Sequence, residues 1–352
     1  MNAEPALIPS QTRSRFIGRR VIALTLGLGA LLLNPSALTT PRPALGAEPS
    51  GKLERTHLKI ALPARAIGPL PTFVAAERFF REEGLTVDLV IVTGEGVAAQ
   101  ALASNSVDIN ITNLNSLINM LVAGHRVMGF YAGWSHADFE WFTRPEIRSW
   151  PELYNRSIGI ATYGSLLDVF TRYVLRKHGL DPDRDVRIVQ VGSSVNALHA
   201  LKVGRVDAAI LAPPLTWQAE ASGFARLGTQ AKEVGDEWPR NIFYAKDRFL
   251  DANPHAIRAL LRAHVKAVRS IRQDREATVK TIMNALKYER PHAERLYGAI
   301  APHFHERGVP RPRTMSVFWE VTIASGEVKE SLPEAVFFDR RFADTFDEWA
   351  PK

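Results

Sequence analysis

Two stretches of this chain repeat one another. Residues 92–111 read VTGEGVAAQALASNSVDINI, and residues 191–210 read VGSSVNALHALKVGRVDAAI. Setting Asp108 against Asp207 also pairs Val92 with Val191, Ala98 with Ala197, Ala101 with Ala200, Leu102 with Leu201 and Val107 with Val206. Each copy reads as strand, small polar loop, amphipathic helix and strand. In open α/β sheets, ligands collect outside the carboxyl ends of strands, where such loops lie. Two copies therefore predict two α/β lobes, each offering a loop to a shared cleft, in a protein that closes around a small molecule.

The flanking sequence supports that frame. Strands are predicted at 58–63, 87–92, 107–112, 127–134, 157–161, 186–191 and 242–246, with helices at 72–83, 97–104, 113–123, 166–178 and 213–222 between them. Strict alternation of this kind predicts largely parallel sheets. From Pro254 the pattern turns helical. Asn253 is placed to cap and Pro254 suits a first turn. Ile257, Leu260, Leu261, Val265, Val268 and Ile271 form one apolar stripe, and Arg258, Arg262, Lys266, Arg269 and Arg272 lie largely opposite. That basic face is expected to be solvated, with docking to an acidic partner or membrane surface as the alternative. Further helices are predicted at 289–300, 314–328 and 339–349.

Composition narrows the function. The 352 residues suffice for two domains. Cysteine is absent, which removes disulfides, a thiol nucleophile, cysteine-held metal and a lipoprotein anchor. Arg13, Arg15, Arg19 and Arg20 precede an apolar run at 21–33, and small residues follow up to Ala47. This is the order of a secretory signal, cleaved near Ala47, and the run is short for a membrane span. Residues 1–47 carry five Arg and one Glu, so the remainder has a net charge of +7 − 4 = +3. That charge is too mild to argue for nucleic acid. No GxSxG, HExxH or P-loop string occurs, and no catalytic residue, metal ligand or cofactor is expected.

The segment Phe79-Phe80-Arg81-Glu82-Glu83-Gly84-Leu85, followed by Val87-Asp88-Leu89-Val90, resembles a signature of the solute-binding proteins of ABC importers. The branch is the one for nitrate, sulfonate, taurine and the thiamine pyrimidine. The second copy, with Ala200-Leu201, Gly204, Val206-Asp207 and Ala209-Ile210, is similar to that family's second lobe, as is 159–165. The resemblance covers roughly 57–285. It implies an α/β, two-lobed type II periplasmic binding protein fold, each lobe a mostly parallel sheet flanked by helices, with a helical C-terminal segment. The domains expected are a signal at 1–47, a first lobe at 48–143 plus 242–352, and a second lobe at 144–241. It also implies a periplasmic monomer that captures a small-molecule ligand by hinge closure and passes it to a membrane permease with its ATPase. Enzymes on this fold are the alternative class, although the cysteine motif of the pyrimidine synthase cannot exist here.

The candidate ligand-binding residues follow from strand ends and loops. Thr162, Tyr163, Gly164 and Ser165 precede a helix whose first turn holds Asp168, a capping-box-like start suited to an acid group. Gly94 and Glu95 occupy the first repeat's loop, Ser193 and Ser194 the second's. Glu95 repels a bare anion if it faces the cleft, so its ligand then carries an amine or another donor. Arg65 follows the first strand and is a candidate grip for an acid. Thr112 and Asn113 end a strand. Trp134, Trp217 and Tyr244 are candidate aromatic walls, and His136 a polar contact at most. A sulfonate, aminosulfonate or carboxylate is the favoured ligand, with a pyrimidine-type ring as the runner-up.

Overall fold

The computed structural model describes residues 51–352, so the predicted signal lies outside the described residues. Ten strands form two five-stranded sheets. They are β1 (His57–Leu62), β2 (Thr86–Ile91), β3 (Ile109–Thr112), β4 (Val127–His136), β5 (Glu140–Thr143), β6 (Ser157–Ile160), β7 (Arg187–Gln190), β8 (Ala208–Leu211), β9 (Ala225–Thr229) and β10 (Glu237–Lys246). One sheet has the order β2-β1-β3-β10-β4, and the other β7-β6-β8-β5-β9.

The sheets share one plan. In each, a central strand pairs in parallel with the two strands of its own repeat: β1 with β2 and β3, β6 with β7 and β8. Leu58, Ile60, Ala61 and Leu62 of β1 are buried, as parallel strands covered on both faces require. Two antiparallel strands complete each sheet, so the sheets are mixed where alternation predicted mostly parallel pairing. β10 begins at Glu237, five residues before the strand predicted at 242–246, and β5 belongs to the second sheet.

Both passages between the sheets lie side by side. The chain leaves the first sheet after β4 and returns to it through β10, and these two strands pair along their length. The register slips between Glu237 and Arg240 and between Phe243 and Tyr244.

The repeated aspartates fix the start of each central strand. Asp108 accepts the Lys59 N–H at 2.8 Å, and Asp207 accepts the Ser157 N–H at 2.9 Å. Their own backbone N–H groups return bonds of 2.9 Å to the Lys59 and Ser157 carbonyls. Each aspartate also faces an arginine, Arg55 at 3.3 Å and Arg144 at 3.7 Å.

Most helices after Asn253 cover the first sheet, and helix Pro312–Ala324 packs against both β10 and helix Leu166–Lys177. Helix Pro254–Gln273 buries its apolar stripe from Ile257 to Ile271. Its basic residues are engaged within the chain: Arg262 and Lys266 pair with Glu83 at 2.6 and 2.7 Å, while Arg269 and Arg272 pair with Glu306 at 2.9 and 2.7 Å. Arg258 is buried. The face expected to be solvated is thus a seam of ion pairs. Asn253 precedes this helix, but its side chain donates to the Phe249 carbonyl instead of capping. The helix expected at 339–349 is broken into Arg341–Asp344 and Phe346–Trp349.

Candidate functional site

The first repeat's helix, the following helix and the loop 162–165 line an open cavity of about 260 Å³. Its lining includes Glu95, Gln100, Ser116, Asn119 and His125 on one side and Thr162 to Ser165 on the other. The two sides touch. A Cβ built on Gly94 would lie 3.3 Å from the Thr162 methyl carbon, and the Asn119 amide donates to the Gly164 carbonyl at 3.2 Å. At about 30 Å³ per water, the cavity equals roughly nine waters, the size of a small organic molecule.

Glu95 opens helix Glu95–Ala103, whose cap is Gly94 at φ 91° with no side-chain capping bond. Only glycine adopts that conformation easily. The Glu95 Oε1 accepts from Asn113 at 2.5 Å, while Oε2 is buried with no hydrogen-bond partner among the described residues. Burial pushes the Glu95 carboxyl up to about 7, against the Asn113 bond and the charge of Arg240. Arg240 itself pairs with Asp138 and lies 4.2 Å from the Trp134 ring centre and 4.6 Å from that of Phe139.

A second carboxyl enters the same network from far along the chain. Glu327 accepts from Asn115 at 2.8 Å and from Asn119 at 3.4 Å. It too is pushed up to about 7, first by burial, with the charges of Glu95 and Asp168 adding to the effect. Beneath the cavity, the buried Tyr244 hydroxyl meets Ser116 at 2.9 Å and accepts from Asn110 at 3.0 Å. Burial raises the Tyr244 pKa, so it serves as a neutral hydrogen-bonding post.

The other predicted residues divide. Glu95 and residues 162–165 line the cavity; Asn113 bonds Glu95, Gly94 stands beside Thr162, and Tyr244 bonds Ser116. Thr112 is buried and donates to the Asn113 carbonyl at 3.2 Å. Trp134 is buried, with an indole N–H that has no partner among the described residues. Arg65 is exposed and donates to the Ala285 carbonyl at 3.0 Å, away from the cavity lining. Tyr163 is 56% exposed, and its hydroxyl turns back to the Ile188 carbonyl at 3.0 Å. Ser193 caps its own helix by accepting from the Asn196 N–H at 3.1 Å, with Ser194 as that helix's first residue. Trp217 stacks on His292, with Arg295 4.0 Å from its ring centre, so it packs against the C-terminal helices.

The capping box at Ser165 is also rearranged. Ser165 makes no capping bond; its hydroxyl donates to the Thr162 carbonyl at 2.7 Å. Asp168 instead accepts the Gly164 N–H at 2.9 Å and pairs with Arg172 at 2.8 Å. The N–H expected to hold an acid group thus already holds a carboxylate, and a second anion there would meet it.

A larger cavity of about 490 Å³ lies beside the ends of β4 and β10, lined by His136, His303, His305, Arg272 and Arg311. Its polar groups are largely matched. Arg272 pairs with Glu306, Arg311 with Glu237, and His305 bonds Ser135. His136 stacks on His303 with ring centres 3.9 Å apart. The smaller cavity is lined by Glu95, whose Oε2 is a buried acceptor without a partner among the described residues, and it is the better candidate.

Asn115, Asn119, Asp168, Arg240 and Glu327 were not among the predicted residues. Asn113, Asn115 and Asn119 did carry a signal, because Asn115 and Asn119 lie one helical turn apart just beyond a strand end. Glu327 carried none.

Two mixed sheets joined through paired strands, with a cavity where their loops meet, define the periplasmic binding protein fold. A Bordetella bronchiseptica RB50 protein of known structure superposes with a TM-score of 0.72 at 23% identity, covering 85% of this chain and 99% of that one. The periplasmic aliphatic sulphonate binding protein SsuA from Escherichia coli gives a TM-score of 0.61 at 16% identity, covering 80% and 91%. Residues 69–278 match the family described as NMT1/THI5 like, and the chain belongs to that family. YtlA of Bacillus subtilis (strain 168) is 26% identical over 240 residues, 66% of this chain and 71% of that protein. No helix among the described residues is long and apolar enough to cross a membrane.

Proposed function

We propose that this protein is the extracytoplasmic ligand-capturing component of an ABC importer. In this reading one lobe is built on the β1 sheet together with the C-terminal helices, and the other on the β6 sheet. They rotate about the paired strands β4 and β10, a known mode of closure. The cavity holds a small organic ligand, which an inner-membrane permease and its ATPase then receive. The chain acts as a periplasmic monomer without turnover. The observation that carries this reading is a pocket lined from both lobes, across which the Asn119 side chain of the first donates to the Gly164 carbonyl of the second.

Family membership and the sulphonate-binding neighbour support transport and make sulfonates and aminosulfonates the first probes. Native mass spectrometry of the purified protein, before and after unfolding, tests the reading. A stoichiometric small-molecule adduct lost on unfolding is expected. The reading fails if no adduct is retained and no sulfonate, carboxylate, amine or pyrimidine raises the melting temperature.

A further inference from the structure

We infer that Glu95 and Glu327 together form a cation-recognition site in the cleft, and that the ligand presents a protonated nitrogen to them. This deepens the binding-protein reading above and rests on it.

Glu327 is delivered by a defined turn. Helix Pro312–Ala324 ends with Gly326 at φ 83°, a value that favours glycine. The Gly326 N–H bonds the Ile323 carbonyl and the Glu327 N–H the Thr322 carbonyl, each at 3.0 Å, which is the Schellman pattern. The chain thereby reverses and points Glu327 at Asn115 and Asn119. The element carrying it is held against the second lobe, where Tyr173 bonds Glu320 at 3.0 Å and Arg176 donates to the Ser325 carbonyl at 3.2 Å.

The donors around the two carboxyls do not balance them. Asn113 serves Glu95, and Asn115 with Asn119 serves Glu327; all three are neutral amides. The Glu95 Oε2 and the Oδ1 of the fully buried Asn115 are acceptors with no partner among the described residues. The charged groups acting on the pair are matched elsewhere, Arg240 with Asp138 and Asp168 with Arg172. Tyr244, His125 and Tyr163 are the remaining titratable neighbours of the network and cavity. Buried acceptors are costly to leave unmatched, and an ammonium supplies several N–H donors together with the missing charge. The raised affinity of both carboxyls for protons is the same deficit expressed with hydrogen ions.

The test uses three probes of one chain length: propane-1-sulfonate, 3-aminopropane-1-sulfonate and propane-1,3-diamine. Calorimetric titration of the purified protein at pH 6 and pH 8 should show the amine-bearing probes binding more tightly, and more so at the higher pH, because protons compete with them. Glu327→Gln should weaken the amine probes roughly ten- to a hundred-fold. Tightest binding of propane-1-sulfonate, stronger at pH 6, would overturn the cation site while leaving a binding protein. So would amine affinities indifferent to Glu327→Gln.

If none of the three binds, apo stability decides. A cation site lacking its cation predicts that Glu327→Gln raises the melting temperature at pH 8. A drop there shows that Glu327 is structural and removes the proposal. Loss of all adducts and all thermal shifts is the separate signature of failure of the binding-protein reading.

Discussion

The two repeats are alike where they build and unlike where they could bind. Asp108 and Asp207 tie down β1 and β6 through the same backbone bonds. Gly94 and Gly192 both have positive φ and both donate from their N–H to the loop after the central strand, at 2.9 and 2.7 Å. In the first repeat, however, the glycine is itself the helix cap. In the second it stands one residue earlier, so that Ser193 becomes the cap and satisfies the helix locally. The first helix therefore opens without a side-chain cap, and Glu95 occupies the position matched by Ser194. The aspartates kept between the copies hold the strands, and the copies differ at the positions that open the helices.

Removing the shared aspartates should have the largest effect. Asp207→Ala loses a charged acceptor of the Ser157 N–H and hydroxyl together with the Arg144 pair, and is expected to cost about 3 kcal/mol in urea unfolding. Asp108→Ala should cost about 2 kcal/mol. If only one of them destabilises the protein, the two copies are not equivalent frames.

Charge at the unlike position comes next. Glu95 and Glu327 hold protons more readily in the folded chain than their usual value of 4.5 allows, to about 7. The folded state thus binds more protons than the unfolded state between about pH 4.5 and 7, and stability falls as pH rises through that window. A loss of about 1–3 kcal/mol between pH 5 and pH 7.5 is expected. Glu95→Gln should flatten the profile, and an unaltered slope would show that Glu95 does not titrate there.

Gly94→Ala places a Cβ on a positive-φ residue beside Thr162 and should cost about 1–2 kcal/mol. It should also weaken ligand binding, because the added carbon stands where the lobes touch. Ser193→Ala should cost only about 1 kcal/mol, through the lost cap, and leave the dissociation constant unchanged. A binding defect there would draw the second repeat into the site after all.

These contrasts also show what was legible beforehand. The repeat and the parallel three-stranded cores follow from local pattern, and the same pattern puts Gly94, Glu95 and Asn113 just beyond strand ends. Arg65 and Tyr163 were read as facing the ligand because their backbones stand at strand ends. The Arg65 side chain reaches instead to the Ala285 carbonyl, and Tyr163, although it lines the cavity, directs its hydroxyl to the Ile188 carbonyl; both carbonyls are positioned by tertiary packing. Asp168 was read as half of a capping box, yet it takes the Gly164 N–H. Glu327 bonds Asn115 across 212 residues of sequence. A glycine after an apolar periodic run announces a helix end, but not which wall of the molecule that end will meet.

The C-terminal turn at Gly326 ties the first repeat's surroundings to a stretch far along the chain. The stretch that matches the family ends at residue 278, whereas Glu327, the carboxyl bonded to Asn115 and Asn119, lies beyond it. A chain cut at residue 278 would keep both repeats and lose one of the two carboxyls on which the cation proposal rests.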